Sequence, residues 1–410
     1  MKAGTSTRKR SLADRVRKSH LRKRFYAVCL VAPAVVLMGI IFVYPVGSLL
    51  PNSVDDTLVN KFLVRTFQVY DQWDQEELPG EYLYEAMFLD IKSADKLVRN
   101  QSSRRMVSEM PGWRALILKS SRKFRSVEEG PYKEAMIAID KRWGDIRFWH
   151  SLGAMTEKYT LGNFLNAFDM KLDGKRNIVA KPAKRHIYQM LWWRTLKISL
   201  FVTFWCLLLG YPVAYLMANS SPSHRSFILI CVLMPFTTSV LVRISAGMIV
   251  LQEQGVVNDI LVGLGLLDDD NRLSMMYNFK GSVIVLTHTL LPFMILPLYS
   301  VMRRIPKEHM QAAQGLGASP PWAFLRVYLP MSMPGVSGGA ILVFIMAFGN
   351  YITPEFVGGA EGRMIASMVT GWGGFSAAIG VIMLLVILAI LWTYYRLTDA
   401  TGLQIKPIQH

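Results

Sequence analysis

The chain has 410 residues, and its composition is that of a membrane protein rather than a soluble one. Hydrophobic residues make up 52% of the sequence, whereas a soluble protein of this length needs more polar surface to cover its core. The formal net charge of +17 does not indicate a nucleic-acid partner, because ten of the basic residues lie in a short N-terminal tail directly before an uncharged apolar segment, as in a membrane-inserted helix.

The first predicted elements are a basic tail at residues 1–25 and an apolar helix at residues 26–50. The tail holds ten Lys or Arg and one acid, and residues 25–54 carry no charge. This order predicts a helix inserted with its N-terminus in the cytoplasm. The run contains Pro33 and Pro45, exceeds the apolar core of a signal peptide and ends without an Ala-x-Ala cleavage motif, so we predict an uncleaved first span.

A hydrophilic segment, residues 51–189, follows the first span. Its apolar residues between Tyr82 and Leu118 recur with roughly helical spacing, and few β-branched alternations occur. We therefore predict a mostly helical extracytoplasmic insert. A segment that packs on the membrane helices without an independent fold is the alternative. Four tryptophans are available for a small core: Trp73, Trp113, Trp143 and Trp149.

Apolar windows predict five further membrane-spanning helices, since a span needs roughly 20 mostly apolar residues. Pro222 and the polar residues around it predict a tight hairpin between the second and third spans. Six spans place both termini on the same side of the membrane, and residues 399–410 form the C-terminal tail. The five later spans are predicted at about residues 191–218, 226–250, 281–302, 331–354 and 372–396.

The distribution of basic residues predicts the orientation of these spans. With the N-terminus inside, the two tails and the short cytoplasmic connections hold seventeen Lys or Arg, whereas the short outer connections hold three. Multi-pass proteins carry an excess of Lys and Arg in their cytoplasmic loops. We therefore predict that both termini are cytoplasmic.

No residue pattern in the sequence predicts catalysis or metal binding. The three cysteines, Cys29, Cys206 and Cys231, all lie in apolar runs, which argues against disulfides and Cys-based metal sites. The phosphate-binding pattern Gly-x4-Gly-Lys-Ser/Thr is absent from the sequence. We expect no catalytic residue, no metal site and no cofactor in this chain, so a nucleotide would have to be bound by a separate protein.

The most informative segment is the predicted cytoplasmic loop at residues 303–330. It is typical of a short helix that stops near Gly317, followed by a second helix for which Ser319 is a suitable N-cap. Ala312 and Ala313 give the first helix a slim face that another protein surface can approach closely. A structured loop between two spans, without a partner, is the plainer interpretation of the residues alone.

The loop resembles the signature of permeases in binding-protein-dependent ATP-binding-cassette (ABC) importers. That signature is Glu-Ala-Ala, three residues, Gly, nine residues, Ile, one residue and Leu-Pro. Every spacing is kept, but Gln replaces Glu at the first position and Val replaces Ile, so the charge at the first position is lost. The matching residues are Gln311, Ala312, Ala313, Gly317, Val327, Leu329 and Pro330.

The resemblance extends over roughly residues 190–400 and is to the spermidine/putrescine-type branch. It implies an all-α polytopic membrane fold, with a five-helix type I importer core at residues 190–398 and one preceding helix. It also implies that the loop is a coupling helix that docks on an ATPase and passes on its ATP-driven motion. The similar segments are residues 194–196, 210–215, 290–299 and 351–355.

The same resemblance implies the partners, the location and the cargo. The implied partners are a cytoplasmic ABC ATPase dimer that binds ATP and Mg, a second permease subunit in a heterodimer, and an extracytoplasmic substrate-binding protein. The implied location is the lipid bilayer of a bacterial inner membrane. The implied cargo is a small solute, either polyamine-like or another small organic solute.

Two groups of residues are candidates for the translocation path. Arg243 is the only charge within the apolar windows that predict the spans, and such residues usually face a cavity or a partner, although snorkelling to the outer headgroups is the alternative. Polar residues at the outer end of the fifth span form the second group, for which structural packing is the alternative: Asn350, Tyr351, Thr353 and Glu355.

The alternative function is a secondary transporter or channel that works alone. Such a protein would need intramembrane acids or a proton relay, and no Asp or Glu lies deep inside any predicted span. A polytopic membrane enzyme is a more remote alternative, because no nucleophile has a base nearby in the sequence.

Overall fold

The structure is a computed structural model that describes residues 26, 28–127, 130–172, 177–182, 186–371 and 373–400. The tail predicted at residues 1–25 and most of the C-terminal tail, residues 401–410, lie outside the described residues. The described chain is mostly helical, so the prediction of an all-α polytopic fold is confirmed.

Six helices in the described part of the chain are long and apolar enough to cross a membrane. We call them the first to sixth spans in chain order. All six overlap the predicted spans, although the third begins and ends later than predicted and the helix of the fifth ends at Phe348 rather than near residue 354. The six spans are Val28–Val54, Tyr188–Asn219, Val240–Gly263, Phe279–Met302, Pro320–Phe348 and Gly374–Arg396.

The third span differs from the single helix predicted at about residues 226–250. The helix Pro222–Leu233 follows the second span, and a 3-10 turn at Met234–Thr237 separates it from the helices Val240–Leu251 and Val256–Gly263. The turn contains Pro235, which lacks a backbone donor and clashes with the preceding helical turn. The sequence is apolar on both sides of this turn, so its composition predicts a membrane span but not the break in the helix at Met234–Thr237.

The second, fourth and fifth spans form the centre of the membrane domain. Their buried cluster includes Cys206, Met294 and Val343, one from each span. The fifth span approaches the fourth closely, because a Cβ built on Gly339 would lie 2.9 Å from the Met294 sulfur and 3.2 Å from its carbonyl oxygen. Small residues at helix contacts allow this separation in membrane proteins.

The insert between the first and second spans is built mainly of short helices, as predicted. One antiparallel hairpin pairs Met170–Leu172 with Ile178–Ala180, and it precedes the second span. The helices are Thr57–Phe62, Val64–Tyr70, Glu81–Ser93, Lys96–Met106, Trp113–Lys123, Tyr132–Ile139, Ile146–Leu152 and Gly162–Asn166.

The insert has a hydrophobic core of its own, formed within residues 59–155. Trp113, Trp143 and Trp149 are fully buried in it, and neighbouring rings lie 5.9 and 5.7 Å apart between centroids. Each indole N–H donates to an acceptor: to the Ser151 hydroxyl, the Ser120 hydroxyl and the Trp143 carbonyl oxygen respectively. Buried indoles with paired donors supply large apolar area without an unpaired polar group. The insert is therefore a folded unit with its own core.

A buried ionic cluster fixes the insert to the end of the first span. The Arg105 guanidinium donates to both oxygens of Asp56 at 2.7 Å and to Glu109 Oε1 at 2.8 Å. The three side chains are nearly inaccessible to solvent. Burial raises the pKa of the Asp56 carboxyl above its usual value, and the adjacent Arg105 opposes that shift. Because Asp56 closely follows Val54, the cluster ties the helix Lys96–Met106 to the membrane domain.

Replacing Arg105 with Met is expected to destabilise the insert by about 3–5 kcal/mol, because two carboxylates then stay buried without their counter-charge. The control is Arg147→Met, which removes an ion pair with Asp145 whose Arg side chain is 76% exposed. The control should leave the stability nearly unchanged, because exposed ion pairs contribute little. Thermal unfolding of the purified chain in detergent, followed by near-ultraviolet circular dichroism, compares the two. Equal unfolding temperatures for both variants would contradict a stabilising role for the cluster.

Candidate functional site

The first candidate site is the loop between the fourth and fifth spans. The helix Lys307–Gly315 ends where Gly317 adopts a φ of +92°, a conformation that glycine reaches without steric cost. The N–H of Gly317 donates to Gln314 O at 2.9 Å, and the N–H of Ala318 donates to Ala313 O at 3.1 Å. These two bonds form a Schellman motif, which satisfies the last carbonyls of the helix and reverses the chain.

The chain then returns to the membrane through a second short helix, Pro320–Ala323. Ser319 is its N-cap residue, as predicted, although the Ser319 side chain makes no capping hydrogen bond. A π-helical turn, Phe324–Tyr328, joins this helix to Leu329–Phe348, which makes up most of the fifth span. Single π-helical turns within helices are rare and are found frequently at functional sites.

The first helix of the loop is open to solvent. None of its residues is buried, and Gln311 and Ala312 are exposed while Ala313 is half-buried. Leu316, at its end, is 91% exposed. At the base of the loop, Val327 and Leu329 are half-buried, and Pro330 is exposed. The seven residues predicted for this site therefore divide into an exposed group at the tip and a more packed group next to the membrane.

An aromatic cluster, Tyr211, Tyr215, Phe324 and Tyr328, joins the loop to the second span. Phe324 and Tyr328 stack at 5.7 Å between centroids, and Tyr215 packs edge-on against them at 5.7 and 5.1 Å. Tyr211 contacts Phe324 at 6.1 Å, and its hydroxyl shares a hydrogen bond of 3.0 Å with the hydroxyl of Ser332. Sequence reasoning missed this cluster, because its members lie more than a hundred positions apart and no local pattern links them.

The loop helix also packs against the π-helical turn that carries Phe324 and Tyr328. A displacement of Lys307–Gly315 must therefore move these two rings or break their contacts. Because Tyr215 packs against both rings, the same displacement would also act on the second span. The arrangement is a mechanical connection between an exposed helix and the membrane core.

The second candidate site lies at the other end of the fifth span. Asn350 Oδ1 accepts from the Thr353 N–H at 3.1 Å and so caps the short helix Ile352–Val357. Tyr351 and Glu355 line an open cleft of about 360 Å³, whereas Thr353 is buried away from it. Two of the four predicted polar residues therefore reach the cleft, and the other two support its wall.

The cleft carries one ion pair on its lining. Glu355 Oε1 accepts from Arg363 Nη2 at 2.9 Å, and both side chains are partly exposed. The aromatic rings of Tyr351 and Phe356 lie on the same lining. Sequence reasoning did not predict the role of Arg363, because the pair depends on how the chain folds back after the helix Ile352–Val357.

Arg243 does not line this cleft. Its guanidinium lies over the Phe236 ring at 5.7 Å, and Phe236 packs edge-on against Phe293 of the fourth span at 5.0 Å. Its Nε is shielded from solvent and has no hydrogen-bond partner in the described part of the chain. Within that part Arg243 forms no ion pair either, and Glu253 lies beyond the end of its helix at Leu251. The two predicted groups of path residues are thus not brought together in one site.

Comparison with known proteins identifies the membrane domain. Residues 210–400 match the family described as binding-protein-dependent transport system inner membrane component. The spermidine/putrescine transport system permease protein PotB of Haemophilus influenzae is 32% identical over 244 residues, which cover 57% of this chain and 82% of the relative. PotB of Escherichia coli is 34% identical over 209 residues, covering 49% of this chain and 75% of the relative.

A solved structure of the MetNI methionine ABC transporter in inward-facing conformations is similar to the chain at 17% identity. The match covers 51% of this chain and 93% of that chain, with a TM-score of 0.40. The sequence relatives are inner-membrane permeases, and permeases of this kind are not themselves catalytic. The chain belongs to the family of binding-protein-dependent transport system inner membrane components, the permease subunits of ABC importers.

Proposed function

We propose that the chain forms, with a second permease subunit, the translocation path of an importer for a polyamine or a similar small organic cation. The observation that carries the proposal is the exposed helix Lys307–Gly315, which packs against the turn Phe324–Tyr328 and so meets the aromatic cluster. An exposed helix that packs against the spans suits a permease whose movement is driven by a separate protein bound to that helix.

The driving partner in this proposal is a cytoplasmic ABC ATPase dimer, which binds ATP and Mg. Gln311, Ala312 and Ala313 present the slim face of the loop helix, and Leu316 supplies an apolar contact for a groove on the ATPase. The excess of basic residues in the connections on the same side supports a cytoplasmic location for this loop and for both termini.

Closure of the ATPase would move the loop helix, and the aromatic cluster would pass the movement to the second span. Val327, Leu329 and Pro330 hold the base of the loop at the start of the fifth span. The two-state rocking of packed helices is a common way in which membrane transporters change access from one side to the other.

The outer cleft is the proposed extracytoplasmic mouth of the path. A carboxylate beside two aromatic rings suits an organic ammonium group, which ring faces and carboxylates both attract. Arg363 holds Glu355 in the present arrangement, so the carboxylate must exchange this partner for the cargo. The names of the relatives, which are spermidine/putrescine permeases, support the same class of cargo. A substrate-binding protein would deliver it, and Arg243, Asn350 and Thr353 support the helices that frame the path.

Reconstitution with the cognate ATPase and second permease tests the proposal as a whole. Uptake of labelled spermidine into proteoliposomes is expected only when all three proteins, the binding protein and ATP are present. Uptake that continues without the ATPase, on an ion gradient alone, would show that the protein works as a secondary transporter instead.

Replacing Gly317 with Ala is expected to weaken assembly with the ATPase several-fold. A side chain at this positive φ costs about 1–2 kcal/mol even though no atom lies within 4 Å of the new Cβ. Gly315→Ala is the matched control, because Gly315 is helical and equally unobstructed, so Ala should be tolerated or stabilising. Co-purification with the ATPase measures both variants, and identical recoveries would contradict a docking role for this turn.

Replacing Phe324 with Ala is expected to uncouple the two activities of the assembled complex. Loss of the central ring leaves the ATPase bound to the loop but removes the contacts to Tyr211 and Tyr215, so hydrolysis should continue while uptake falls several-fold. Trp322→Ala is the control, since Trp322 is 53% exposed and contacts the guanidinium of Arg326. The ratio of uptake to hydrolysis is measured, and an unchanged ratio for Phe324→Ala would refute the mechanical role.

Replacing Glu355 with Gln is expected to raise the apparent KM for spermidine several-fold, because the amide keeps the shape but loses the charge that attracts an ammonium group. Glu361→Gln serves as the control, since Glu361 is exposed nearby but does not line the cleft. Initial uptake rates at varied spermidine concentration give the comparison. Equal KM values for the two variants would remove the cleft from the cargo path.

A further inference from the structure

Three hydrogen bonds hold residues 159–168 of the insert against the ends of two membrane spans. The N–H of Thr160 donates to Val54 O at 2.8 Å, and Asn163 Nδ2 donates to Ser53 O at 2.9 Å, both at the outer end of the first span. The Trp192 indole, near the start of the second span, donates to Ala167 O at 3.0 Å. The segment is thus tied to the outer ends of two spans.

The sixth span supports this position independently. A Cβ built on Gly374, its first residue, would overlap the side-chain amide of Asn163. Asn163 therefore sits where the first and sixth spans both end. Residues 159–168 therefore lie beside the ends of three spans, although they belong to a segment that is otherwise hydrophilic.

In this position the segment exposes large apolar and aromatic side chains. Tyr159 and Leu161, on either side of Thr160, are each 66% exposed. Phe168, at the other end, is partly exposed and stacks on Trp192 at 6.2 Å between centroids with the ring planes 17° apart. Tyr and Trp rings at the ends of spans are typical of the membrane interface, where one edge is apolar and the other hydrated.

The exposed side chains continue the exposed apolar surface of the first span. Leu50, about one helical turn below Val54 on the first span, is 61% exposed, and the first span as a whole is exposed along its length. Lys158, next to Tyr159, is exposed as well and offers a cation at the level of the lipid phosphates. Apolar side chains with a flanking Lys are the composition of interfacial membrane anchors.

We propose that residues 159–168 form an interfacial anchor, in which Tyr159, Leu161 and Phe168 insert among the headgroups of the outer leaflet and hold the base of the insert at the membrane surface. The partner is the lipid bilayer itself rather than another protein chain. With the base held by lipid as well as by the Asp56, Arg105 and Glu109 cluster, the insert cannot lift away from the mouth of the path.

Spin labelling of the full chain tests the anchor. Leu161→Cys is labelled in a background whose three native cysteines are replaced by Ala, and the chain is reconstituted into vesicles of phosphatidylethanolamine and phosphatidylglycerol. The control is Leu97→Cys, since Leu97 is 63% exposed but lies at the start of the helix Lys96–Met106, about 12 Å along the helix from Arg105 and the membrane attachment. Collision rates with oxygen, which partitions into lipid, and with a water-soluble nickel chelate are compared.

The label at position 161 is expected to show an oxygen-to-nickel collision ratio several-fold above that at position 97. Tyr159→Cys carries the same expectation and replaces Leu161→Cys should that variant fail to fold. A ratio at 161 equal to that at 97 would place the segment in water and overturn the proposal. A label at 161 that neither reagent reaches once the second permease is added would assign the surface to a protein contact, which also overturns it.

Discussion

The constraint on which this structure depends is that backbone polar groups within a bilayer must find partners inside the protein. The interruption of the third span illustrates how the chain meets it. The hydroxyls of Thr237 and Thr238 donate to the carbonyl oxygens of Met234 and Pro235 at 2.7 and 2.8 Å, next to the break in the helix. In the second span, the Thr195 hydroxyl accepts from the N–H of Ile365 at 2.8 Å and satisfies a donor in the irregular segment before the sixth span.

The same constraint places the irregular, solvent-accessible parts of the chain at the two edges of the membrane domain. The loop between the fourth and fifth spans lies at one end of the fifth span and the cleft lies at the other, and the 29 residues of that span correspond to a length of about 43 Å. Tyr328, in the aromatic cluster, immediately precedes the helix Leu329–Phe348, and Phe348 ends that helix two residues before Asn350. A single helix therefore connects the two sites, so a movement of the loop can be transmitted to the cleft along this helix.

The sequence was sufficient for features that depend on local composition, and insufficient for those that depend on tertiary packing. Apolar windows located the spans, and the Gly317 stop with Ser319 after it followed from capping preferences that act within a few residues. The Arg105 contact with Asp56 and the ring contacts of Tyr215 join residues far apart in sequence, so no local pattern could reveal them. The composition of the third span predicted one continuous helix, but Pro235 breaks the helix locally without making the segment less hydrophobic.

The insert is connected to the same moving parts, although it has a separate core. Ala167, at the base of the insert, is buried in one cluster with Phe344 and Phe348 of the fifth span, and Phe348 lies 6.4 Å from the Trp192 ring. The indole of Trp192 in turn holds Ala167 by its hydrogen bond. A displacement that enters at the loop and travels along the fifth span therefore reaches the base of the insert as well as the cleft. Packed interfaces of this kind shift between discrete arrangements rather than deform continuously. The insert and the mouth of the path should consequently change position together, because the outer end of one helix supports both.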